Sequence, residues 1–266
     1  MLKGFNYPLT PKGKSTLNPP PPWYYSADFL SIEFWADSAA VAALLPTGLD
    51  PDVSGNGRCT AFFYDWQFSG ENEEYLDPAR YQYREFFIVL DALFERRPVS
   101  YTPYIFVDND AALARGWSQG YPKRIAQVFQ TRYHAATGKA GPTLAPGSKF
   151  AGSVTSGGQR LAEGLVTLKE PEKDRSQLKE RSIVNLLHTP RLAAGKHDKP
   201  AVHELVENVP HDVKIEQAWI GEGSLRLPVC RGEEISDLTP VRSGKGIRAS
   251  LAYVVDDLKT LKDLRA

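Results

Sequence analysis

The chain of 266 residues is poor in several of the features that most readily betray a function. It has two cysteines, Cys59 and Cys230, no Cys-x-x-Cys pair and a single methionine. One disulfide is open to it, but a lone pair in a chain of this size favours two reduced, buried thiols. There is no excess of charge: Lys plus Arg and Asp plus Glu both number 32. That argues against a dedicated nucleic-acid binder. No apolar run approaches the ~18 residues of a membrane span. The opening "MLKGFNYPLTPKGKST" lacks the apolar core of a secretory signal. The expectation is a soluble, cytoplasmic protein with no nucleic-acid or membrane partner.

Chemical signatures are also missing. The five histidines, His134, His188, His197, His203 and His211, form neither HExxH nor a tight i, i+4 pair, so no metal site is predicted. Neither "GEGS" nor "SGKG" is a Walker motif. No GxSxG elbow exposes a serine. The zinc, nucleotide and ordinary hydrolase readings all fail.

What is present is strand pattern. Residues 1–22 are rich in Pro, Gly, Lys and Thr and end in "NPPPP", which reads as an extended arm on the surface or on a neighbouring subunit. Residues 23–266 read as one domain. In "WYYSADFLSIEFWAD", Leu30, Ile32 and Phe34 alternate with Ser31 and Glu33, a strand. "DSAAVAALLP" is a short helix with Asp37 or Ser38 as N-cap and Pro46 as stop. "RCTAFFYDWQF", "YQYREFFIVLDALFE" and "VSYTPYIFVDN" predict strands, with a loop over "SGENEEYLDPAR". "DNDAALARGWSQ" predicts a helix capped by Asn109 or Asp110. Short strands follow in "KRIAQVFQTRYHAA", "SKFAGSVTSGGQRLAEGLVTLKE" and "VKIEQAWIGEGSLRL"; "TPRLAAGKHDKPAVHELVENV" is a connection into a strand, and "DLKTLKDLRA" predicts a helical tail. The sum is an α+β, mostly β chain, a barrel or sandwich with a few short helices.

One stretch stands apart: "ARGWSQGYPKR". Arg115 and Gln119 fall one turn apart on a helix face. Gly120 and Pro122 then end the helix, and Lys123 opens the next extended segment. A guanidinium suited to a carboxylate, an amide, and an amine able to form a Schiff base could converge on one cavity. The plain alternative is a solvated polar face followed by a Lys-Arg pair at a strand edge.

"GYPKR", preceded by "YIFVDNDAALARG", resembles the acetoacetate decarboxylase-like superfamily. So do "PWYYSADFLSIEFWADSAAVAALLPTGLDPD", "YQYREFFIVLDA" and "KIEQAWIG", and the resemblance covers most of residues 20–260. It implies a double-cone β-barrel assembled as a homo-oligomer, a tetramer or larger, with no cofactor. It implies that Lys123 is the Schiff-base lysine, that Glu85 is the family glutamate, and that Arg124 and Tyr121 flank the lysine in supporting roles. Acetoacetate decarboxylase is itself the known case of a lysine activated by desolvation or a neighbouring cation, so that activation is carried over with the resemblance. In an extended segment Arg124 should point away from Lys123, leaving desolvation as the main lever. Moving a lysine from about 10.4 to near 7 takes roughly 4–5 kcal/mol.

The departures from true decarboxylases are informative. Ala27 stands where the family has a substrate-binding arginine, and Ala61 where it has a second glutamate; "ARGWSQ" lacks a further one. In exchange, Arg115 lies eight residues before Lys123 and Gln119 four before it, and "SLAYVVDD" supplies Tyr253. This combination resembles the superfamily branch that handles 2-oxo acids by aldol condensation and dehydration, or the reverse. It implies a keto acid such as pyruvate and an aldehyde as substrates, with Arg115 on the carboxylate and Gln119 and Tyr253 in catalysis. Glu85 is expected as an acid/base or, with slight preference, as a partner of Arg124. Decarboxylation of a β-keto acid and a non-catalytic binding barrel are the competing readings. The aromatics Trp23, Tyr24, Tyr25, Phe62, Phe63, Trp66, Phe86 and Phe87 fit an aromatic co-substrate or plain core packing.

Overall fold

The computed structural model describes residues 1–174, 178, 181–192 and 199–265. His197 lies outside them.

The chain begins with an arm that folds on itself through Lys3 and Thr10. It then forms β1 (Trp23–Trp35), α1 (Ser38–Ala43), β2 (Asp50–Pro51) and β3 (Arg58–Ser69). Asp37 caps α1, accepting from the backbone N–H groups of Ala39 and Ala40. Next come α2 (Pro78–Tyr81), β4 (Gln82–Phe94), β5 (Arg97–Val107), α3 (Asp110–Ser118), β6 (Lys123–Ile125) and β7 (Gln127–Gln130). The remainder is strand: β8 (Lys149–Ser156), β9 (Gln159–Pro171), β10 (Val184–Thr189), β11 (Val202–Asn208), β12 (His211–Arg226), β13 (Arg242–Val255) and β14 (Leu258–Asp263).

One large sheet runs β6-β5-β4-β3-β1-β13-β12-β9-β8-β7, with β2 beside β4. The β5–β6 pair is parallel and its other pairs are antiparallel. Its two outermost strands, β6 and β7, are separated in the chain only by Ala126, so the sheet curls back on itself. A second sheet, β10-β11-β14, closes one side.

Period-2 alternation gives this sheet two buried faces. Tyr25, Ala27, Phe29, Tyr64, Trp66, Phe68, Tyr83, Phe87 and Ala249 pack into one core. Ile32, Phe34, Ala61, Phe63, Phe86, Ile88, Phe150 and Leu161 pack into the other. The aromatic set is thereby divided: Phe63 and Phe86 face away from the Tyr25–Trp66 side, and Tyr24 is exposed.

Two expectations are corrected. The tail is not helical; it is β14, paired antiparallel with β11 across a register shift at Leu205/Val206. A ten-residue helix is marginal in isolation, whereas the free edge of β11 offers backbone partners. The stretch read as a loop before β4 holds a 3-10 turn at Glu74–Leu76 and the short α2, with Pro78 in its first turn. Cys59 and Cys230 are free and buried. Among the described residues no helix is long and apolar enough to cross a membrane.

Candidate active site

Helix α3 builds the site. Asn109 caps it, its Oδ1 accepting from Ala112 N–H at 2.9 Å while its Nδ2 donates to the Arg80 carbonyl at 3.1 Å. At the other end Gly120 takes φ +78°, Tyr121 N–H reaches back to the Gly116 carbonyl and Gly120 N–H to that of Trp117. This is a Schellman ending, which needs a left-handed residue after the cap. It turns the chain so that Lys123 opens β6 opposite Ile105 of β5. Trp117 Nε1 holds the Lys123 carbonyl at 2.9 Å. The lysine stem then lies across Gly116, where a Cβ would sit 2.2 Å from Lys123 Cδ.

Lys123 is buried, and its Nζ donates to Glu85 Oε2 of β4 at 2.5 Å. Trp66 Nε1 of β3 donates to the other oxygen of Glu85 at 3.2 Å. The rings of Tyr83 and Tyr121 stand 5.5 and 5.8 Å from Nζ. Burial pushes the Lys123 amine below the usual lysine range; Glu85 opposes this and the charge of Arg115 adds to it.

Arg115 is 1% exposed, the largest of the fully buried side chains. Its guanidinium lies 3.6 Å over the Phe68 ring, with Tyr83 and Tyr25 at 5.3 and 5.5 Å. Nη1 donates to Asn18 Oδ1 at 2.8 Å, and Nη2 has no partner. Among the described residues no carboxylate forms an ion pair with it; Glu85 is taken by Lys123. A buried cation left without an anion costs several kcal/mol, which aromatic faces offset only in part.

Gln119 is buried one turn on; its Nε2 donates to the Arg115 carbonyl at 3.3 Å and its Oε1 accepts from Asn208 Nδ2 at 3.3 Å. The same Nδ2 donates to the Tyr121 hydroxyl at 2.7 Å. Tyr253 of β13 stacks on Tyr25 at 4.9 Å and meets Trp66 edge-on at 5.8 Å. Burial drives the phenols of Tyr253 and Tyr121 upward, so both remain protonated donors at neutral pH. The site thus brings a desolvated amine, its carboxylate partner, an unneutralised guanidinium and phenolic donors together among one set of buried aromatic rings. No group of three or more metal-ligating side chains exists among the described residues.

The acetoacetate decarboxylase family pattern matches residues 6–264. The chain belongs to that family. A structure of the enduracididine biosynthesis enzyme MppR, complexed with the condensation product of pyruvate and imidazole 4-carboxaldehyde, is 32% identical with a TM-score of 0.91, covering 99% of this chain and 98% of that one. The same enzyme complexed with pyruvate superposes with a TM-score of 0.90 over 99% of both chains. An acetoacetate decarboxylase-like enzyme from Sphingomonas wittichii RW1 is 26% identical, with a TM-score of 0.89 over 98% of this chain and all (100%) of that one. Among curated proteins, the acetoacetate decarboxylase of Chromobacterium violaceum is 26% identical over 85% of this chain and 80% of its own.

Within this family fold two expectations need correcting. Arg124 is not a partner of Glu85: it forms a bidentate pair with Glu233 at 2.6 and 2.8 Å, on the other side of β6. Ala61 cannot hold the place of a site glutamate, because alternation along β3 turns it into the opposite core and presents Phe62, Tyr64 and Trp66 instead. Ala27 does face the site-side core. Sequence reasoning missed Asn18 and Asn208, which lie 97 residues from Arg115 and 89 from Gln119. Neither carries a local signal. Tyr83 was missed too, although strand alternation places it on the face of Glu85, two residues on.

Proposed function

We propose that this protein is a lysine Schiff-base lyase acting on a 2-oxo acid such as pyruvate, condensing it with an aldehyde and losing water, or running the reverse hydratase/retro-aldol reaction. The observation that carries the reading is Arg115: a fully buried guanidinium with an unpartnered Nη2 beside a desolvated amine. Such a cation awaits an anion, and a planar carboxylate matches its fork. Pyruvate and condensation-product complexes of MppR support the same substrate class.

In this scheme the neutral Lys123 amine adds to the C2 carbonyl, with Arg115 holding the C1 carboxylate. The carbinolamine loses water, its oxygen protonated by the Tyr253 phenol, to give an iminium. Glu85 takes up the lysine proton and is then the carboxylic acid nearest the new nitrogen. The Tyr253 phenolate left by that transfer takes a C3 proton, giving an enamine whose C3 attacks the aldehyde carbon, and the phenol then returns the proton to the new alkoxide. Elimination of the resulting hydroxyl as water and hydrolysis of the iminium release an unsaturated 2-oxo acid and regenerate Lys123. Gln119 orients the oxygens of substrate and intermediate. No cofactor enters the balance, because the iminium is the electron sink.

A decarboxylase of an acetoacetate-like β-keto acid is the second reading, favoured by the Lys123–Glu85 pair and by the curated decarboxylase relative. Arg115 opposes it, since a carboxylate gripped by a guanidinium is stabilised against leaving as CO₂. Borohydride reduction with pyruvate, and separately with acetoacetate, followed by intact-protein mass separates the two. A pyruvate adduct on wild type that vanishes in Lys123→Ala is expected. An acetone-sized adduct from acetoacetate restores the decarboxylase, and no adduct from either rejects lysine catalysis.

A further inference from the structure

Resting on that Schiff-base reading, we propose that Asn18, delivered by the N-terminal arm, is the second ligand of the substrate carboxylate and therefore a determinant of keto-acid specificity. Asn18 is 0% exposed although it belongs to a Pro- and Gly-rich segment. Its Oδ1 accepts from Arg115 Nη1 at 2.8 Å. A guanidinium only donates, so the amide presents its oxygen there and turns its Nδ2 elsewhere. That Nδ2 has no partner, and neither has Arg115 Nη2. Two buried donors on side chains joined by one hydrogen bond are thus both vacant. Orphaned buried donors are rare because each has given up its hydrogen bonds to water without replacement. A carboxylate has two oxygens and no protons to give. It satisfies both donors at once and neutralises the guanidinium.

The arm is built to hold Asn18 there. Asn18 N–H donates to Asn6 Oδ1 at 3.0 Å, and the Thr16 hydroxyl, with one proton to give, lies 2.8 Å from the Asn6 carbonyl and 3.2 Å from that of Asn18. Trp23 Nε1 holds the Pro19 carbonyl at 3.0 Å, and Phe5 packs edge-on against Trp23 at 5.8 Å. Arg80 of α2 reaches the carbonyls of Lys14 and Thr16 at 3.4 and 3.5 Å. An arm serving only as surface packing would not send an amide into the site.

Asn18→Asp is the decisive variant: it keeps the acceptor for Arg115, removes the Nδ2 donor and turns an anionic oxygen toward the substrate carboxylate. The probes are pyruvate and acetone, a carbonyl without a carboxylate, trapped by borohydride at alkaline pH. The half-saturating pyruvate concentration is expected to rise roughly 10–100-fold, the loss of a hydrogen bond to a charged group, with acetone within about twofold. Thermal stability should hold or rise, because the new carboxylate pairs with a buried cation. Asn18→Ala should weaken pyruvate less than Asn18→Asp. Equal loss for both probes, or unchanged pyruvate affinity, overturns the proposal. If wild type traps no pyruvate, the lyase reading falls separately. Calorimetric titration of pyruvate into Lys123→Met, with and without Asn18→Asp, then decides this contact. No binding, or the same affinity in both, overturns it.

Discussion

Lys123 and Arg115 are two cations flanking one ring, Tyr83, at 5.5 and 5.3 Å, and a single carboxylate, Glu85, pairs with only the first. Arg115 and Glu85 push the amine's proton affinity in opposite directions, the first down and the second up. Trapping requires the neutral amine, so its rate should rise with pH through a midpoint below the usual lysine range, where burial has moved it. Arg115→Met removes a repelling cation and lets the ammonium persist; the acid limb should move to higher pH. Glu85→Gln removes the anion that stabilises the ammonium, and the limb should move lower. Acetone is the fitting probe, because Arg115→Met also loses the proposed carboxylate contact. Shifts of the same sign in the two variants would refute this assignment of charges.

At the scale of elements, α3 was fully legible because its signals are local. Asn109 caps it, Gly120 and Pro122 end it, and the i, i+4 spacing of Arg115 and Gln119 puts both on its buried face. The tail was misread because the edge of β11 decides its state, and no window of ten residues contains that edge. Asn18 and Asn208 were invisible for the same reason: what aims them is packing across ~90 residues or more. The lysine's dependence on Gly116 was equally hidden. A glycine inside a helix costs about 1 kcal/mol relative to alanine, and here the missing Cβ leaves room for the Lys123 stem. Gly116→Ala should therefore force the buried stem aside and cost about 1–3 kcal/mol of unfolding free energy. It should reduce the pyruvate trapping rate by about 100-fold, the scale of an ångström's misplacement. Trapping at the wild-type rate would mean that the stem finds another path and the glycine does not place the amine.

For the whole molecule, the two faces of the curled sheet divide the labour. The face bearing Tyr25, Trp66, Tyr83 and Tyr253 lies on the side of the amine; the other, from Ile32 through Phe150 to Leu161, is a separate apolar core that holds the strands in register. The antiparallel ladders β1–β3 and β3–β4 belong to both faces at once, so damage to the second core could reach the site only by shifting them. Close-packed interiors resist such shifts and leave a cavity instead. Leu161→Ala, at a position 0% exposed on β9, should thus cost about 2–5 kcal/mol of unfolding free energy by denaturant titration. In the folded fraction the rate of pyruvate trapping should stay within twofold of wild type. If that rate instead fell in step with stability, the second core would be positioning the lysine rather than only supporting the sheet that carries Glu85 and Trp66.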